Sequence, residues 1–124
     1  MYLRIMNKQI ENTLIPQADD KLLCVKVGKI ARESIYEMSR KYWRVDGRKA
    51  AKATYVLAII DGIVEAVFEP EEWFKTTDST YAGRWEFSGK EVKDSPYIGK
   101  SVKAFYGKSA NPVRYINYAP LPIQ

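Results

Sequence analysis

The chain has 124 residues, of which 46 % are hydrophobic and 28 % charged, the size of one compact domain that buries a core without disulfide staples. It has no histidine and one cysteine, which excludes Ser-His and Cys-His nucleophile pairs, histidine acid–base chemistry, ordinary zinc sites and an internal disulfide. The net charge is +5, and Asp94 is followed by Lys100, Lys103, Lys108 and Arg114 but by no Asp or Glu, a basic excess that favours an anionic partner over the plainer alternative of a surface tuned for solubility.

Residues 1–20 are expected to form an N-terminal arm or edge strand, and 21–124 a single ligand-binding domain. Asn7, Lys8, Gln9 and Glu11 interrupt any signal-peptide-like apolar run. No stretch reaches the roughly 18 apolar residues a membrane helix needs. A cytoplasmic location with no membrane partner is therefore expected. Lys21 to Val27 reads as a buried strand ended by Gly28, with Cys24 a structural thiol inside it. Arg32 to Arg40 reads as a short helix, and Asp46-Gly47 as a turn. Tyr55 to Ile60 and Ile63 to Phe68 flank Asp61-Gly62, a type I′ hairpin signature because both central residues need positive φ. The first of these strands is apolar on both faces and belongs in the middle of a sheet; in the second, Glu65 is the exposed position. Glu69 to Phe74 is expected to make one helical turn with Pro70 near its start, and Thr76 to Gly83 a loop. Arg84 to Gly89 reads as a strand with Trp85 and Phe87 on one face. Asp94-Ser95-Pro96 is a turn, Ile98 to Tyr106 a short helix opened by Gly99, and Val113 to Tyr118 a last strand before the irregular end at Pro120 and Pro122. The order predicts an α+β domain with a curved, mainly antiparallel sheet.

From Lys21 to Tyr118 the chain resembles the domain that follows the GIY-YIG nuclease module in bacterial two-domain proteins. The stretches that carry the resemblance are Ser34 to Val45, Arg48-Lys49 with Ala53 and Tyr55, Gly62 to Phe68 leading to Trp73, Gly83 to Gly89, Tyr97 to Val102, and Asn111 to Asn117. The domain is expected to stand alone, without the nuclease half, so the resemblance does not imply that activity. Tyr97-Ile98-Gly99-Lys100 spells half of the nuclease motif, but no carboxylate follows it to hold a metal. The order of Tyr42-Trp43-Arg44 before the hairpin is also similar to PUA-like domains of the EVE and YTH kind. That similarity implies a PUA-like barrel with two or three short helices and an aromatic pocket for a modified or flipped base.

Base recognition needs flat faces for stacking and cations for phosphate. Trp43 with Arg44 and Arg84 with Trp85 supply both, and Trp43 is the first pocket candidate; core packing is the competing role for Trp43, Trp73 and Trp85. If the segment is a strand, Tyr42 and Arg44 point away from Trp43, so the three cannot line one pocket. Arg48 and Lys49, with Lys52, form a basic cluster that is otherwise a solvated turn. Lys100, Ser101 and Lys103 follow Gly99 where backbone N–H groups would suit a phosphate. Asn111 can read a base edge or cap a turn, and Arg114 is the first choice for an anion contact. Tyr115 or Tyr118 can stack, or can serve the core. The paired acids Asp19-Asp20 and Glu71-Glu72 are expected to be solvated; a carboxylate-only magnesium site is their alternative.

Three functions fit. The first is a non-catalytic module that binds nucleic acid or nucleotide and holds a base in the aromatic and basic pocket. The second is a phage-type sponge that sequesters a cyclic or ADP-ribose-type immune signal, expected as a homo-oligomer. The third is a protein–protein adaptor anchored by its tryptophans. No catalytic residue, metal or cofactor is expected under any of them.

Overall fold

The computed structural model describes residues 12–28, 34–108 and 110–118. The beginning of the expected arm, the first residues of the helix expected from Arg32 and the prolines at the end lie outside those ranges. The described residues form one α+β domain around a curled, half-barrel sheet of six strands with three short helices. In chain order these are β1 (Leu22–Lys26), α1 (Ile35–Arg40), β2 (Lys41–Trp43), α2 (Gly47–Ala50), β3 (Tyr55–Ile60), β4 (Ile63–Lys75), β5 (Trp85–Glu91), α3 (Lys103–Tyr106) and β6 (Val113–Ile116), with a 3-10 turn at Ser79–Tyr81. The strands lie in the order β2-β5-β4-β3-β1-β6. β1 and β3 run parallel and the other neighbours antiparallel.

The middle of the sheet follows from strands that are apolar on both faces. Leu22, Leu23, Cys24 and Val25 are fully buried, as are Val56, Leu57 and Ala58. Alternation divides their side chains between two cores. Leu22, Cys24, Leu57 and Ile59 pack with Leu14, Tyr97, Val102 and Tyr106 on one face. Leu23, Val25, Val56 and Ala58 pack with Phe68, Phe87, Ala50 and Val113 on the other, where Ile35, Tyr36, Trp43 and Tyr115 join them. A parallel β1–β3 pair needs a long crossover, and α1, β2 and α2 provide it. The N-terminal segment belongs to the first core: Leu14 is 1 % exposed, and Thr13 bridges to Ser101.

The Asp61-Gly62 hairpin forms with φ of 53° and 76°, as its sequence requires. In β4, Ala58 pairs with Ala66 but Ile59 pairs with Val64. Glu65 is thus the extra residue of a bulge, which explains its exposure between buried Val64 and Ala66.

Four expectations are corrected. Glu69 to Phe74 is not a helical turn: β4 continues to Lys75, and Glu71 is a second bulge between the pairs Pro70–Gly89 and Glu72–Ser88. Proline tolerates a bulged strand, and the ring of Trp73 gains Phe87 at 4.9 Å. Asp46-Gly47 opens a helix instead of a turn, because the Asp46 carboxylate accepts from the Arg48 N–H at 2.9 Å and caps α2. The helix expected from Ile98 shrinks to α3, since Gly99 sits at φ 86° and Ser101 bridges to Thr13 and Ile63. The last strand stops at Ile116, where Asn117 turns at φ 66° and its amide donates to the carbonyls of Gln17, Ala18 and Asp20.

Candidate functional site

The sheet curls until the ends of its two outermost strands face each other. A cleft of about 470 Å³ lies between them, lined by Tyr42, Trp43 and Arg44 from the β2 edge, Arg84 before β5, and Asn111, Pro112 and Val113 from the β6 edge. Trp43 is held in two ways. Its ring packs on the second core, and its indole N–H donates to the Ser39 carbonyl at 2.7 Å. Its polar edge is therefore already satisfied, while the residue still lines the cleft. Ser39 is set by α1, whose N-cap Ser34 accepts from the Glu37 N–H. Arg40 pairs with Glu37 within the same helix at 3.0 Å and ties that helix to the sheet through Glu86 at 2.7 Å.

The Arg84 side chain is positioned by a backbone carbonyl of β2 and by a ring. Its guanidinium donates to the Tyr42 carbonyl at 3.5 Å and lies 5.4 Å from the centre of the Tyr81 ring. Tyr81 is in turn stacked on Tyr42 at 4.1 Å and 7°. Arg44 is exposed. The Asn111 side-chain oxygen accepts from the Val113 N–H at 2.9 Å, which caps the turn into β6, so capping is one role it fills. The seven lining residues include two guanidinium groups, two aromatic rings and no carboxylate.

Tyr42, Trp43 and Arg44 do line one cleft, against the expectation from strand alternation. The β2–β5 register pairs Lys41 with Glu86 and Trp43 with Trp85, so Tyr42 is a bulged residue, and β2 ends at Trp43. Alternation fails at both steps. Pro112 and Val113 were not among the expected lining residues, and only their neighbour Asn111 drew attention to them. The other expected site residues lie elsewhere. Trp85 lies against Gly47, where a Cβ would come within 2.4 Å of its ring. Arg114 belongs to the opposite face: it donates to the Phe105 carbonyl at 3.2 Å and lies 5.6 Å from the Tyr106 ring.

The stretch after Gly99 does not offer backbone donors to a phosphate. The N–H groups of Lys100, Ser101 and Val102 are taken by the carbonyls of Tyr97, Asn12 and Gly62, and that of Lys103 by the Ser101 hydroxyl. Lys103 lays its aliphatic stem against Gly62. Arg48 and Lys49 line a separate hollow with Lys21, Asp46, Lys52 and Tyr118. Among the described residues no group of three or more Asp, Glu, His or Cys side chains is spaced to hold a metal ion. Burial pushes the Cys24 thiol up to about 12, the behaviour of a structural cysteine.

The fold and cleft define a small α+β domain whose half-barrel sheet is consistent with a PUA-like architecture. The chain matches no protein-family model, no curated protein and no solved structure. The family resemblances therefore rest on the residues of the sequence alone.

Proposed function

We propose that this protein is a non-catalytic binder of a nucleotide or nucleic acid, holding a base against Trp43 with its phosphate on Arg44 and Arg84. One observation supports this above others. Trp43, Arg44, Arg84 and Asn111 come from three distant stretches of chain and converge on one carboxylate-free cleft. A flat indole face with fixed polar edge suits stacking, which contributes about 1–3 kcal/mol per base. Two guanidinium groups suit a phosphate better than lysines would, because each offers a planar fork of donors. The volume is that of a small-molecule pocket, so a sequestered nucleotide signal fits the same cleft and is the second reading. The adaptor reading has less support: Trp43 and Trp73 pack on the core, and none of the three tryptophans is among the exposed large apolar side chains.

Thermal shift tests the reading with mononucleotides, cyclic di- and trinucleotides, ADP-ribose derivatives and short DNA and RNA oligomers. A ligand at a hundred times its Kd stabilises by about 2.7 kcal/mol, a rise in Tm of about 10 °C for a chain of this length. Trp43→Phe keeps a flat face and is expected to keep binding, whereas Trp43→Leu weakens it roughly 5- to 150-fold, the equivalent of one lost stack. Arg44→Gln is expected to weaken binding with no loss of Tm. Absence of any shift, or equal binding by Trp43→Leu and Trp43→Phe, would sink the proposal.

A further inference from the structure

The second hollow, of about 360 Å³, is strongly cationic. Lys21, Arg48, Lys49 and Lys52 line it beside one carboxylate, Asp46, which is engaged by the Arg48 N–H at 2.9 Å. Lys49 is held over the rings of Tyr115 and Tyr118 at 4.2 and 5.8 Å. Those rings pack edge to face at 4.8 Å. None of this cluster is used by the cleft at Trp43, yet one short stretch of chain serves both. Residues 44–49 run from Arg44 in the cleft to Lys49 in the hollow. Val113, which lines the cleft, and Tyr115, whose ring faces the Lys49 ammonium, are both packed on the second core. They are two residues apart on β6, about 7 Å of extended chain, the scale of one nucleotide step in an unstacked single strand.

We infer that the hollow takes a backbone phosphate next to the nucleotide in the cleft, so that the ligand is a single-stranded oligonucleotide running along β6 from Trp43 to Lys49. This rests on the cleft reading and deepens it. A lone mononucleotide leaves the hollow empty. A duplex offers Trp43 a base face only after that base is unstacked and flipped out, at a cost of a few kcal/mol, so it binds more weakly than a single strand.

The test is fluorescence anisotropy of the full chain with a labelled single-stranded octamer, a duplex of the same length and a labelled mononucleotide, over a range of salt. Each single-strand phosphate contact contributes about 0.7 to the slope of log K against log salt. Lys49→Gln/Lys52→Gln, both at exposed positions, is expected to weaken octamer binding, lower the slope by about 1.4 and leave mononucleotide binding unchanged. Unchanged octamer affinity and slope in that variant would overturn the track, as would tighter binding of the duplex than of the single strand. Loss of octamer binding in the lysine variant but not in Trp43→Leu would overturn the cleft and keep the hollow. A wild-type chain that binds none of the three probes overturns both.

Discussion

Tyr97 shows how one side chain can tie distant parts of a small domain together. Its phenol donates to the Asp20 carboxylate at 2.6 Å and accepts from the Gln17 N–H at 2.9 Å, which fastens the N-terminal segment to the loop after β5. Burial and the neighbouring carboxylate push that phenol from 10.0 up to about 12, and burial does the same to Cys24 from 9.0. Tyr106 and Tyr118 shift in the same direction, also through burial. A group whose folded-state value is raised contributes stability that is complete below its unfolded value and is lost as pH rises toward the folded one. The urea midpoint is therefore expected to fall between pH 9 and 12. Cys24→Ala and Tyr97→Phe should each flatten that fall, and a midpoint independent of pH over this range would contradict the packing described. The native Cys24 thiol is expected to resist a thiol reagent at pH 8 until the chain unfolds. The apolar run around Cys24 made its burial legible from sequence. The phenol–carboxylate bond between Asp20 and Tyr97 was not, because nothing local marks a pair 77 positions apart.

The bulges set the character of the elements. Each of Tyr42, Glu65 and Glu71 is an extra residue on its strand, and each reverses the in-and-out order of side chains that follow it. This is why the expected hairpin formed as read while its continuation did not. Asp61-Gly62 states its geometry locally, whereas Pro70 looks like a helix start until Gly89 is placed across from it. Gly89 has a reason to be glycine: a Cβ there would lie 2.3 Å from the Glu69 carbonyl oxygen and 2.9 Å from the Pro70 Cα, both backbone atoms that a rotamer change cannot move. Gly89→Ala is expected to cost about 1–3 kcal/mol, the range for overpacking, measured as a lower urea midpoint with unchanged slope. Wild-type stability would mean that the strands are more loosely joined at the bulge than the register implies. The same local rule governs the site. Trp43, Arg44, Arg84 and Asn111 were legible as residue types suited to a base and phosphate, but their assembly with Tyr42 depended on a bulge that no single-strand pattern announces. Arg114, Trp85 and the Gly99 stretch share that residue chemistry but point elsewhere, because alternation and backbone pairing are decided by neighbours distant in sequence.

At the scale of the whole molecule, the cleft is the seam of a barrel that does not close. β2 and β6 are the outermost strands in the order β2-β5-β4-β3-β1-β6, and no ladder joins them among the described residues. A ligand lodged between Trp43 and Val113 would act as a rivet, completing the ring of contacts that hydrogen bonds leave open. Its mechanical signature would then be uneven. Amides of β2 and β6 are expected to exchange with deuterium more slowly when the cleft is filled, while β1 and β3, buried on both faces, are expected to exchange only on global unfolding whether or not it is filled. Uniform slowing across the sheet would mean that the ligand merely raises global stability; slowing confined to the two edges would mean that it holds the gap shut.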